Sequence, residues 1–170
     1  MNKREEILKL CDRLRNTINE FSDEEDWHNE LSTRYILIDP ILRMLGWNTE
    51  NPKQVRVSNI VRLKPTRFSD YTLFDNGKAI ACIEAKRYGI ISFWRNLGVR
   101  ELSKKLKQLT DYCKVEEARL GISTDGESWF IVDCKNKNRI EKIDLWDTSN
   151  NSFASTLLKL RPTKISTFFN

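Results

Sequence analysis

Apolar positions near the start of the chain recur at three- and four-residue steps. Ile7, Leu10, Leu14 and Ile18 share one face of a helical repeat, which predicts an amphipathic helix over residues 3–20. The acidic stretch 22–26 interrupts the pattern and supplies a turn with helix-capping side chains. A second helical pattern covers 27–45, with Leu31, Tyr35, Ile38, Leu42 and Leu45 on one face. Pro40 falls inside it and predicts a kink, and Gly46 suits its C-cap. A period of two then takes over. Residues 54–63 alternate through Val55 and Val57, 70–74 form a short aromatic run, and 79–85 read as a buried strand around Ile80, Cys82 and Ile83. Asp75-Asn76-Gly77 between the last two is a hairpin turn signal. A helix follows over 102–113, on Leu102, Leu106, Leu109 and Tyr112. Strands are predicted at 119–124, 128–133 and 139–145, and a last helix at 152–160.

This order sets the expected topology. The hairpin pairs two strands antiparallel, and the helix between strands 79–85 and 119–124 is a crossover that makes them parallel. The chain is therefore expected to be α/β, a mixed β-sheet flanked by helices. Residues 1–26 read as an appended N-terminal helix and acidic turn, and 27–170 as the main domain.

Composition narrows the function classes. With 170 residues, 39% hydrophobic and 31% charged, the chain can bury a core without metal or disulfide staples. No apolar run approaches the roughly 20 residues of a membrane span, and the N-terminus lacks the apolar core of a secretory signal, so a cytoplasmic protein is expected. Cys11, Cys82, Cys113 and Cys134 make no Cys-x-x-Cys pair and read as buried thiols. His28 is the single histidine, which disfavours zinc and a Ser-His-Asp triad. The net charge of +5 is uneven: residues 1–30 carry nine acids and five bases, whereas 51–115 carry fourteen bases and five acids. A basic middle attracts nucleic acid, or is a solvated basic surface.

The chemistry gathers around the hairpin. Asp70 opens one strand; Glu84 and Lys86 end the other, two apart and so on one face. Two carboxylates and an ammonium at one sheet edge suit phosphodiester hydrolysis. Carboxylates are the hard ligands that Mg²⁺ takes, with waters and phosphate oxygens completing its shell; Mn²⁺ can substitute. The metal polarises the phosphoryl group and acidifies a bound water, and Lys86 can orient that water or stabilise developing charge. The plainer alternative is a solvated Glu84–Lys86 salt bridge, although a glutamate ending the run AIACI is costly unless paired or liganded.

These residues resemble the PD-(D/E)XK nuclease signature, Asp70 followed by Glu84-Ala85-Lys86. The surrounding text resembles the N-terminal nuclease domain of type I restriction enzyme R subunits: Asn29-Glu30-Leu31-Ser32-Thr33-Arg34, Leu37-Ile38-Asp39-Pro40, Leu45-Gly46-Trp47, Ser69-Asp70-Tyr71, Ile83 through Arg87, and Gln108 with Tyr112. The resemblance covers roughly residues 27–146 and implies a restriction-endonuclease-like core. It implies Asp70 and Glu84 as metal ligands, Glu30 completing the metal site directly or through water, Lys86 acting on the water or transition state, and Gln108 and Tyr112 placing DNA and the lysine. The residue before Asp70 is Ser69, not the nominal proline, and no Walker ATP-binding loop is present in these 170 residues, although R subunits carry a motor after the nuclease.

Other residues near this set are weighed separately. Trp94 between Phe93 and Arg95 can stack on a base, or the loop tucks Phe93 and Trp94 onto the core; for Trp94 the second is favoured, with Arg87 and Arg95 facing phosphate. Lys104 decorates the helix before Gln108 as a further DNA contact or a solvated charge. His28 reads as a surface or capping histidine, and Asp39 as a structural partner of Arg43. The expected function is metal-dependent DNA cleavage, by a stand-alone nuclease, a homodimer, or a domain working with a helicase or restriction subunit. The alternative is a catalytically silent DNA-binding or interaction module of the same fold.

Overall fold

The computed structural model describes residues 2–24, 29–61, 67–136, 139–147 and 152–169; Trp27 and His28 lie outside them. The predicted first helix is α1, Lys3–Phe21, opened by a capping box in which the Asn2 side chain accepts from Arg4 N–H and Glu5 reaches back to Asn2. Its apolar stripe, Ile7, Leu10, Cys11, Leu14 and Ile18, is buried in the main core against α3 (Asp39–Leu45) and α6 (Ser152–Lys159).

The second helical segment runs unbroken from Glu30 to Leu45 but changes pitch midway. α2 (Glu30–Thr33), capped by Asn29, passes into a π turn at Arg34–Ile38, where Asp39 N–H bonds Arg34 C=O five residues back. The kink expected at Pro40 takes this form because proline crowds the carbonyl four residues earlier, and a widened turn relieves the clash. Gly46 closes α3, its N–H bonding Arg43 C=O at 2.9 Å.

The sheet has six strands in sequence order: β1 (Val55–Val61), β2 (Arg67–Asp75), β3 (Lys78–Ala85), β4 (Leu120–Thr124), β5 (Ser128–Asp133) and β6 (Ile140–Asp144). Only β3 and β4 pair parallel; every other pair is antiparallel. The α/β class and mixed sheet are those the element order predicts. Asn76 and Gly77 at the β2–β3 turn both have positive φ, 49° and 77°, the backbone that a two-residue hairpin turn demands.

The crossover departs from the single helix expected over 102–113. It comprises a 3₁₀ turn (Ser92–Asn96), α4 (Val99–Lys105) and α5 (Lys107–Val115), with the chain bending at Leu106. α5 packs on β3 and β4. The sheet thus separates two apolar layers: Tyr71, Ile83 and Ile122 face the α1/α3/α6 side, and Cys82 and Phe130 face α5 with Leu109 and Tyr112.

Candidate active site

β2 and β3 pair through Tyr71↔Ile83, and at the next step a side chain takes over from the backbone. Asp70 Oδ2 accepts a hydrogen bond from Ala85 N–H at 2.8 Å. The backbone N–H of Lys86 turns instead to Thr124 C=O on β4, also at 2.8 Å. The strands part here, and the carboxylate of Asp70 fills the opening. Glu84, 4% exposed, sits one step beyond Cys82 on the α5 face, and its Oε1 receives Lys86 Nζ at 2.6 Å. The sequence-predicted trio therefore meets at one strand end.

Glu30 lies at the rim, on the first turn of α2. Burial and the charge of Asp70 push its carboxyl up from the ordinary range, opposed by Lys86 and Arg34, with a smaller upward push from Glu84. The other three predicted site charges, Asp70, Glu84 and Lys86, thus all act on this one group. Burial likewise raises Asp70, against the Ala85 N–H, Arg34 and Lys86, which hold it down.

A second network, not expected from the sequence, holds Asp70 from the α1/α3 side. Arg34 Nη1 lies 3.3 Å from Asp70 Oδ1, Nη2 lies 3.5 Å from the Asp70 carbonyl, and Nε lies 3.3 Å from Tyr71 Oη. The guanidinium also stands 4.7 Å from the centre of the Tyr71 ring. Tyr71 Oη donates to Asp39 Oδ1 at 2.6 Å, and Asp39 Oδ2 pairs with Arg43 Nη2 at 3.5 Å, the expected contact. Burial opposes the charge on Arg34, but Tyr71, Asp70 and Asp39 outweigh it and hold the guanidinium protonated. Arg34 and Asp39 were both visible in the sequence; their link through Tyr71 was not, since it depends on the tertiary seat of the π turn.

Asp125, in the turn between β4 and β5, is fully buried. Its Oδ2 accepts from Ile91 N–H at 2.7 Å and its Oδ1 from Ser128 N–H at 2.8 Å. It clamps the segment following Lys86 onto the β4–β5 turn. Tyr88 N–H bonds Thr33 Oγ1 at 2.9 Å, tying the same segment to α2.

The residues expected to meet DNA divide. Arg87 and Lys104 are exposed. Arg95 is engaged instead with Asp144, Nη2 to Oδ2 at 2.6 Å. Tyr112 is buried in the α5 layer and accepts a hydrogen bond from Gln108 Nε2. Trp94 packs near Phe130, as favoured, but Phe93 stands out at 77% exposure, a correction to the reading that both tuck inward. Successive residues of a 3₁₀ turn point about 120° apart, so here Trp94 faces the core and Phe93 does not.

Among the described residues, no three Asp, Glu, His or Cys side chains converge as a ready metal cage. The donor chemistry still fits a hard divalent ion, which needs only one or two protein carboxylates with waters and phosphate oxygens. Asp70 and Glu84 are two such carboxylates at one strand end, each now beside a cation of the protein. The buried Ser123 Oγ, on the β4 residue paired with Glu84, has no hydrogen-bond partner, so the floor of the site carries unused polar capacity.

Among known proteins, the family described as type I restriction enzyme R protein N terminus matches residues 54–140. A solved fragment described as an HsdR subunit of a type I restriction enzyme from Vibrio vulnificus YJ016 is 20% identical over 74% of this chain, with a TM-score of 0.48. The present chain spans 24% of that one. No curated protein matches the sequence.

Proposed function

This chain belongs to the type I restriction enzyme R protein N-terminus family, and on that premise we propose that it is a nuclease domain that cleaves DNA with the help of a divalent metal ion. The observation that carries the reading is the hydrogen bond from Ala85 N–H to Asp70. It joins an aspartate on one strand to the backbone between Glu84 and Lys86 on the next, so that two carboxylates and an ammonium share one place.

Asp70 and Glu84 would hold Mg²⁺ or Mn²⁺, with Glu30 joining directly or through water. A metal held there supplies Lewis-acid polarisation of the phosphoryl group and a more acidic bound water. Lys86, which bonds Glu84, would orient the attacking water or meet charge building on the phosphate. Arg87 and Lys104 offer exposed charge to the DNA backbone. Gln108 and Tyr112, bonded to each other, would stiffen the α5 wall beside the site. A restriction complex with a DNA-translocating motor is the setting that the family suggests.

Cleavage of supercoiled plasmid and of linear single- and double-stranded DNA, with Mg²⁺, Mn²⁺ or EDTA, tests this. Wild-type protein should cut in either metal and not in EDTA, and Asp70→Ala and Lys86→Ala should each lower the rate at least a hundredfold. Binding without cutting in both metals would replace this reading with a silent DNA-binding module.

A further inference from the structure

We propose that Arg34 is a positioning residue that competes with a divalent cation for Asp70 and, once released, serves a DNA phosphate. The proposal rests on the nuclease reading above and deepens it.

Four observations carry it. First, the contacts from Arg34 to Asp70 are long, 3.3 and 3.5 Å, whereas Lys86 holds Glu84 at 2.6 Å. Charge-assisted hydrogen bonds normally fall near 2.7–2.9 Å. Arg34 thus neutralises Asp70 without being locked onto it, and the tight bond to Asp70 is the one from Ala85. Second, Arg34 is held independently of Asp70. Its Nε reaches Tyr71 Oη at 3.3 Å, no shorter than its contact to Asp70, but its guanidinium also lies over the Tyr71 ring, and Tyr71 is anchored by Asp39. A guanidinium with a second set of partners can leave a carboxylate without becoming stranded.

Third, Arg34 opens the π turn. Such turns cost helix regularity and tend to occur where a side chain must be aimed. Fourth, the local charges nearly balance. Glu30, Asp70 and Glu84 contribute three negative charges when ionised, and Arg34 and Lys86 two positive ones. These five described residues are together one charge negative, and a dication among them makes the set one charge positive, matched to a single phosphodiester. The side chains of Arg34 and Asp70 are 14% and 19% exposed, so their pairing is only partly screened by water.

Removing Arg34 should therefore act on metal and on DNA with opposite signs. A residue that merely supported the fold would weaken both. Mn²⁺ binding to the full chain, measured by calorimetry, should be roughly three- to tenfold tighter in Arg34→Gln than in wild type, as expected for loss of one partly screened like charge. Binding of a short DNA duplex, followed by anisotropy, should weaken in Arg34→Gln when Ca²⁺ is present, and change little in EDTA, where Asp70 still holds Arg34 in the wild type. Arg34→Lys keeps the charge but loses the planar fork and should stay close to wild type toward Mn²⁺. Tyr71→Phe takes away the second hydrogen-bond partner of Arg34 and should weaken Mn²⁺ binding, opposite in direction to Arg34→Gln, and it keeps the test open if the glutamine variant does not fold.

Mn²⁺ affinity unchanged or weakened in Arg34→Gln, while Asp70→Ala abolishes it, overturns the role of Arg34 and leaves the metal site standing. Mn²⁺ binding that survives Asp70→Ala, or is absent from wild type and Arg34→Gln alike, overturns the nuclease reading and this inference with it.

Discussion

Gly126 shows how one residue can be fixed by a neighbour far away in sequence. Its φ is +84°, and a Cβ placed on it would lie 2.4 Å from the Cβ of Leu37. Gly126→Ala should cost about 2 kcal/mol or more in urea unfolding, through left-handed strain and overpacking together. Next to it, burial followed by the charges of Asp125 and Asp144 pushes the Glu127 carboxyl up from 4.5 to about 7, against Trp146 and Arg95. Its folded value thus exceeds its unfolded one. Between these two values the folded state holds more protons, so this group lowers stability as pH rises from about 4.5 to 7. Unfolding across that range should show the decline, on the order of 1 kcal/mol after discounting for the half-exposed side chain, and Glu127→Gln should remove it. Glu84 and Lys86 could be read from the sequence because a strand puts residues two apart on one face. The burial of Asp125 and the capture of Arg95 by Asp144 could not, because both arise where the crossover segment settles on the β4–β5 turn.

Among the elements, the helix from Glu30 to Leu45 is the most informative. Its apolar period and its proline were readable; the π turn was not, because a widened turn and a bent helix leave the same period in the sequence. Pro40→Ala removes the clash that the turn relieves, and alanine favours a regular helix. The variant should unfold within about 1 kcal/mol of wild type yet cleave more slowly, since tightening the turn rotates Arg34 away from Asp70. Paired urea and cleavage assays check this, and equal loss in both would make the turn purely structural. The break at Leu106 was equally hidden, because Leu102, Leu106 and Leu109 keep helical spacing on both sides of it. Only the residue's own backbone, at φ −85° and ψ 0°, shows where one axis ends.

Across the whole molecule, charge and closure matter most. The basic residues of 51–115 include those around the candidate site, so binding to DNA should weaken at least tenfold between 50 and 200 mM salt, as counterions released into a more concentrated solution gain less entropy. A titration series by anisotropy measures it; a flat response would place the basic surface away from the DNA. Among the described residues no helix is long and apolar enough to cross a membrane. Two strand pairings were readable, the antiparallel hairpin and the parallel crossover, because each connection fixes its own direction; the other three pairings had no such signal. The meeting of α1 with α6 had no such local sign. Arg15 bonds the Leu145 carbonyl through Nε at 2.9 Å and Nη2 at 2.5 Å, and the α1 stripe shares its core with Phe153, Leu157 and Ile165. During synthesis α1 can meet α3 early, but the Leu145 carbonyl that Arg15 bonds lies 130 residues further on, and α6 follows it, so part of the apolar face of α1 stays bare until then. The hairpin can pair early, but α6, made long after α1, is the element that lets α1 settle.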